Sequence, residues 1–151
     1  MITMPTASLS LLLEQKGRHI FAVSPETTVY DAISMMSDRG VGALLVMEGE
    51  RLRGIVSERD YTRKVILQGR SSKDTRVDEI MTGDVVTVQQ HFTVEDAMRL
   101  MTEHRIRHLP VIVNDRVAGM VSIGDLVKSV ISHQKETIAH LHHYIAGSYM
   151  P

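Results

Sequence analysis

Apolar positions along this chain follow a helical period, then a strand period, and the same succession returns 65 residues later. Val29, Ala32, Ile33, Met35 and Met36 fall on one face at helical spacing, behind a capping Thr27 or Thr28. Gly40 and Gly42 mark the end of that helix. ALLVM (43–47) is a short unbroken apolar run, which predicts a buried strand, and EGER (48–51) is a polar turn. Leu52 to Ser57 returns as a second strand, and the helical period resumes from Arg59 to Leu67. In the second copy Thr93 caps a helix to about His104, and HLPVIV (108–113) is a strand. Asn114-Asp115 is a hairpin turn, Arg116 to Ser122 returns, and Asp125 to His133 is helical.

The two copies align without a gap from residue 23 to residue 66. Val29, Asp31, Ala32, Met36, Val46, Gly54, Val56, Ser57 and Asp60 recur as Val94, Asp96, Ala97, Met101, Val111, Gly119, Val121, Ser122 and Asp125. A repeat of this kind sets the architecture before any single residue is weighed. It predicts two similar halves about a pseudo-two-fold axis, each with a cleft at its Ser-x-x-Asp. LLLEQ (11–15) and HIFAV (19–23) lead into the first copy as a helix and a strand. VDEIM (77–81) and VVTV (85–88) do the same for the second, and Glu14 falls on Glu79 at the same offset. QGRSSKDT (68–75) is polar and lacks an apolar period, so it reads as the linker. The tail from residue 135 to 151 places Ile138, Leu141 and Ile145 on one face, which predicts a helix docked on the body or on a second subunit, with a frayed end.

Composition narrows the picture. Each half has about 60 residues, marginal for a domain on its own, so the halves are expected to share a core. With 43% apolar and 4% aromatic residues and no Trp, that core is aliphatic, with Met as gap-filler. A net charge of −1 argues against bulk attraction to nucleic acid or anionic membrane. The absence of Cys removes disulfides, thiolate metal sites and a Cys nucleophile together. The N-terminus is a poor signal peptide, and no apolar run reaches the roughly 20 residues of a membrane span. A soluble cytoplasmic protein is expected.

Two segments carry candidate chemistry: Gly54-Ile55-Val56-Ser57-Glu58-Arg59-Asp60 and Gly119-Met120-Val121-Ser122-Ile123-Gly124-Asp125. In each, a strand ends at the Ser and a helix begins. One reading is a helix cap, with the hydroxyl accepting from an amide further on and the acidic residue reaching back. The other is a ligand site, with helix N–H groups meeting a phosphate and the carboxylate taking ribose hydroxyls. The two roles are compatible for the Ser and compete for the Asp.

Two copies of Thr-Val-x-Asp-Ala followed by Gly-(Ile/Met)-Val-Ser-x-x-Asp resemble a tandem pair of cystathionine-β-synthase-type (CBS) domains, a Bateman module. VDEIMTGDVVTV (77–88) resembles the usual entry into the second domain, and RIRHLPVI (105–112) its central strand. The resemblance spans roughly residues 10–133. It implies an α+β fold of two pseudo-two-fold-related β-α-β-β-α domains, residues 10–70 and 77–134, packed through their sheets, with additional helical segments at both ends. It further implies non-catalytic, regulatory binding of an adenosyl ligand in the clefts: AMP, ADP, ATP, NAD or NADH, or S-adenosylmethionine. Carried over, Asp60 and Asp125 meet the ribose, and Ser57 and Ser122 are the hydroxyl partners. Val23, Ala43 and Leu45 wall the adenine in one cleft, and Val88, His108 and Pro110 in the other. The family also implies a homodimer, with the helices 59–67 and 125–133 as interface, and a regulated protein in trans.

The basic residues break the symmetry. Arg59 and Arg63 follow the first Ser, whereas Arg105, Arg107 and His108 stand where the first copy has Gly40, Gly42 and Ala43. If the clefts face each other, the four Arg converge on phosphates through their forked donors; the alternative is a solvated basic surface. Unequal sites are expected either way. His140, His142 and His143 in the tail lack a local thiolate or carboxylate to complete a metal site, so no metal is expected. Two other functions fit the sequence less well. Nucleic-acid binding through the Arg cluster is disfavoured by the near-zero charge and scarce aromatics. A small nucleotide hydrolase with a cleft Asp as base lacks a visible constellation of base, nucleophile and metal.

Overall fold

The computed structural model describes the backbone of residues 7–149 and the side chains of residues 7–139 and 141. The elements are α1 (Leu9–Lys16), β1 (Ala22–Val23), α2 (Val29–Arg39), β2 (Ala43–Glu48), β3 (Arg51–Ser57), α3 (Glu58–Tyr61), β4 (Val88–Gln89), α4 (Val94–His104), β5 (His108–Val113), β6 (Arg116–Ser122) and α5 (Ile123–Tyr149). They form two compact units, neither contiguous in sequence. One gathers His19–Thr87 with Asn114–Ala118; the other gathers the residues up to Arg18, Val88–Val113 and the chain from Gly119 onward.

In the first-repeat unit β1 pairs parallel to β2, and β2 pairs antiparallel to β3, with a register shift at Val46/Met47. The helical stripe read from the sequence is the face that folds inward. Val29, Ala32 and Met36 of α2 join Leu44 and Val46 of β2, Val56 of β3, and Val65, Val77 and Ile80 in one buried cluster. Thr28 caps α2 by accepting from the Asp31 amide, and Gly40 ends it in the left-handed region at φ 66°. Such a φ carries no Cβ penalty for glycine.

The second repeat follows the same plan, with strand order β4-β5-β6 and β4 parallel to β5. Val94, Ala97 and Met101 of α4 are buried just as their counterparts in α2 are. Arg105 occupies the left-handed position that Gly40 holds in the first copy, at φ 54°. The β5–β6 turn places Asn114 and Asp115 at φ 52° and 64°. Two successive positive φ angles give the twist that a two-residue hairpin requires.

The spatial units exchange the leading pieces of the contiguous ranges 10–70 and 77–134. Leu9, Leu12 and Leu13 of α1 are buried in the second-repeat unit, where Leu9 and Ser10 amides bond to Phe92 and Gln90 carbonyls. Residues 77–82 close instead on the first repeat, where the Ile55 and Thr82 backbones exchange hydrogen bonds of 3.0 and 2.9 Å. Gly54 and Gly119 make room for these pieces. A Cβ on Gly54 would lie 2.6 Å from the Met81 sulfur and 2.7 Å from the Thr82 carbonyl oxygen, and one on Gly119 would lie 2.9 Å from a Leu13 methyl.

Several expectations are corrected. The polar segment 68–75 joins the two repeats but is anchored by hydrogen bonds. Ser72 and Thr75 carbonyls accept the Tyr30 and Val29 amides at the start of α2, and Thr75 is buried. These backbone carbonyls serve a helix N-terminus, whose first amides lack intrahelical partners. The strands expected at 19–23 and 85–88 shrink to two residues each, β1 and β4. After α3 the backbone widens to a π-helical turn, Thr62–Ile66, with the Leu67 amide reaching the Thr62 carbonyl. The tail is helical and continues α5, which runs without a break from Ile123 to Tyr149.

Candidate functional site

Both Ser-x-x-Asp segments fold as caps. The Asp60 amide donates to Ser57 Oγ at 3.2 Å, and the Ser57 amide and hydroxyl donate to Asp60 Oδ2 at 2.9 and 3.0 Å. In the second copy the Ser122 amide donates to Asp125 Oδ2 at 2.8 Å and the Asp125 amide to Ser122 Oγ at 3.2 Å. The amide that begins each helix is also engaged: Glu58 donates to the Gly42 carbonyl at 3.0 Å and Ile123 to the Arg107 carbonyl at 2.8 Å. A phosphate approaching either helix N-terminus therefore finds these amides already paired.

Each carboxylate has a further partner that sequence reasoning missed. Lys64, in the π-helical turn, places its ammonium 3.1 Å from Asp60 Oδ1 and donates to the Ile80 carbonyl at 2.8 Å. Lys16, at the end of α1, donates to Asp125 Oδ2 at 2.5 Å and to the Met120 carbonyl at 2.7 Å. The two clamps have one design and different origins. Lys64 lies four residues beyond its Asp, a spacing legible in the sequence. Lys16 lies 109 residues before its Asp, and only the docking of α1 brings it there. The clamps also differ in which oxygen they use: Lys64 takes the oxygen opposite the cap, while Lys16 shares the capping oxygen.

Electrostatics in the second-repeat unit follow from this. Burial pushes the Asp125 carboxyl up, but the Lys16 ammonium and the Ser122 donors outweigh it and hold the group below the ordinary Asp value. Burial pushes the half-buried His108 imidazole down, Lys16 and Arg107 push it further, and Asp125 only partly opposes them. The balance favours the neutral form of the His108 ring.

A cavity of about 420 Å³ opens between α1 and α5, lined by Lys16, Asp125, Lys128, Ser129, Ser132 and His133 among others. That volume is within the range of small-molecule sites. His133 Nε2, on its wall, is buried without a hydrogen-bond partner. In the first-repeat unit a cavity of about 490 Å³ is bounded by Ile33, Ser37, Gly42, Glu58, Tyr61 and Thr62, and its lining does not include Asp60.

The remaining sequence candidates divide by exposure. Arg59 and Arg63 are exposed in the first-repeat unit, and Arg105 and Arg107 in the second-repeat unit. Val23 and His108 are half-buried, whereas Ala43, Leu45, Val88 and Pro110 are fully covered. The covered four can face an adenine through their side chains only after neighbouring atoms move. Side chains of His140, His142 and His143 lie outside the described residues. Among the described residues no cluster of three or more His, Cys, Asp or Glu is placed to hold a metal ion. No helix among them is long and apolar enough to cross a membrane.

The fold and its paired caps define a duplicated β-α-β-β-α module. The chain belongs to the CBS domain family, whose model matches residues 17–66 and 77–132. It is 49% identical over 153 aligned residues to the mitochondrial CBS domain-containing protein CBSX3 of Arabidopsis thaliana, covering 95% of this chain and 74% of that protein. A solved CBS-domain protein from Burkholderia ambifaria MC40-6 is 51% identical with a TM-score of 0.82, covering 85% of this chain and 96% of that one. The CBS pair of protein MJ0100, solved with 5′-methylthioadenosine and S-adenosyl-L-methionine, shares the fold at a TM-score of 0.76 and 20% identity, covering 85% of this chain and 99% of that one.

Proposed function

We propose that this chain is a non-catalytic regulatory module that binds adenine nucleotides of the AMP, ATP or NAD type, with Asp60 and Asp125 as ribose acceptors. The observation that carries the reading is the setting of Asp125: an ionised carboxylate on the wall of a ligand-sized cavity, with Lys16 and Lys128 on the same wall. The unpartnered His133 nitrogen there offers a ligand one more polar contact. The reading is supported by the MJ0100 pair, which shares the fold and was solved with two adenosyl ligands, 5′-methylthioadenosine and S-adenosyl-L-methionine. Ser57 and Ser122 supply hydroxyls beside the carboxylates. Arg59, Arg63, Arg105 and Arg107, exposed and always charged, serve the phosphates. Regulation then means that the ligand favours one state of the protein over another and reports it to a partner protein. Isothermal titration with AMP, ATP, NAD and NADH is expected to give heat with at least one of them. Absence of heat and of any thermal shift with all four refutes the reading.

A homodimer fits the same picture. Ile66 and Ile131 occupy equivalent positions in the two repeats and are 53% and 50% exposed, beside Leu67 at 71% and Val127 at 43%. Apolar residues so placed on helices of both copies suit a two-fold, self-complementary contact. Sedimentation equilibrium at micromolar concentration is expected to return twice the chain mass; the monomer mass refutes it.

A further inference from the structure

The charge on the wall of the second-repeat cavity bears on which nucleotide it suits. Apart from His133, the charged side chains that line it are Lys16, Asp125, Lys128 and Glu136, two of each sign. Arg105 and Arg107, exposed in the same unit, are not on the lining. Lys16 and Asp125 offset each other as an ion pair, and the partners of Asp125 all fall on its Oδ2, so Oδ1 stays open to a ribose. That leaves Lys128 and Glu136, neither of which is in an ion pair among the described residues. Both share one face of α5 with Asp125, about one and about three helical turns further along. A cleft lined by one sign of charge concentrates ligands of the opposite sign. This cavity has no such excess. A first phosphate is offset by Lys128, and every further negative charge is set against Glu136. Coulomb repulsion grows with the charge of the ligand, and a nucleoside triphosphate carries about twice the negative charge of a monophosphate near pH 7.

We propose that Glu136 is a specificity residue that limits the charge of the ligand in the second-repeat cavity, so that this site selects a nucleoside monophosphate over the corresponding triphosphate. The inference rests on the reading of this cavity as a nucleotide site and narrows it. Glu136 is exposed, so water and salt screen its field, and the discrimination it adds is modest and salt-dependent. Net charge of the whole chain has no part in it: the effect belongs to the carboxylate on the cavity wall.

The test is an NMR titration of the full chain with AMP and with ATP, in magnesium-free buffer of low ionic strength. It is read at the backbone amides of Ser129 and His133, on the cavity wall, so that this site alone is followed. The unaltered protein is expected to bind AMP more tightly than ATP there. The AMP-to-ATP affinity ratio is expected to fall about two- to fivefold in Glu136→Gln, the size of one solvent-screened charge interaction, and by a similar factor again in Glu136→Lys. Glu103→Gln removes an exposed carboxylate of the same unit that does not line the cavity, and is expected to leave the ratio unchanged. Raising the ionic strength to about 1 M, where the screening length is about 3 Å, is expected to erase the difference between the variants. ATP binding as tightly as AMP to the unaltered protein, or a ratio that Glu136→Lys leaves unchanged, overturns the proposal while leaving nucleotide binding intact. An equal shift in Glu103→Gln overturns it as well, because the effect then belongs to net charge. Amides unmoved by either nucleotide overturn the reading of the cavity as a nucleotide site, and this inference with it.

Discussion

Gly54→Ala is expected to destabilise the protein by about 3 kcal/mol, the upper part of the range for overfilling a packed interior. The reason is what the new methyl group meets. The Thr82 carbonyl, 2.7 Å from the ideal Cβ, is backbone and is held by the Ile55–Thr82 bridge, so it cannot turn aside. Relief requires the strand and the segment 77–82 to separate, which breaks two hydrogen bonds and lifts buried Val77 and Ile80 from the core. Gly119→Ala is the internal control. Its nearest neighbours are methyl groups of Leu13, which can change rotamer, and the expected loss is about 1–2 kcal/mol. For a chain of this size each kcal/mol moves the melting temperature by about 2–4 °C. Urea denaturation and thermal melts should therefore separate the two variants clearly. Equal losses, or a loss below about 1 kcal/mol at Gly54, refute the close packing of the leading segment on β3.

Asp125→Asn is expected to weaken nucleotide binding about ten- to 100-fold. A hydrogen bond to a charged group contributes about 1.5–3 kcal/mol, and 1.4 kcal/mol is a factor of ten in affinity. Asparagine retains an oxygen for the Ser122 amide, so the cap survives and the variant isolates the charge. Asp60→Asn is expected to have the smaller effect, because the cavity nearest α3 is not lined by Asp60, whereas Asp125 stands on the wall of its own. Titration calorimetry on each variant reads the loss directly. Unchanged affinity in both variants assigns the two carboxylates to helix capping alone.

Much of the fold is written in local pattern. The stripe Val29, Ala32, Met36 and its copy Val94, Ala97, Met101 became the buried faces of α2 and α4, because a period near 3.6 leaves a helix one way to turn its apolar side inward. Thr28, Thr93, Ser57 and Ser122 all act as caps, since the bond spans only three residues and needs no distant partner. What was not legible depends on long-range contact. Two-residue β1 and β4 look like longer strands in sequence, because apolar character does not say how many residues find a ladder partner. The anchoring of the polar run 68–75 was equally hidden, because a linear reading does not connect its backbone carbonyls to the α2 amides they accept from. Lys64 was recoverable from its spacing to Asp60, whereas nothing in the neighbourhood of Asp125 points to Lys16.

The sequence by itself determined the duplication, the β-α-β-β-α order of each copy and the place of both Ser-x-x-Asp caps. These follow from periodicity and from bonds that reach three or four residues, and such interactions are complete within a short segment. Tertiary structure alone decided which repeat each leading segment joins, and with it the identity of the cation on each carboxylate. That choice is made by burial. Leu9, Leu12 and Leu13 leave water only when α1 is docked in the second-repeat unit, and Val77 and Ile80 only when their segment closes on β3. The two lysines arrive with that packing, and the two copies of one motif become two carboxylates paired with cations of different origin.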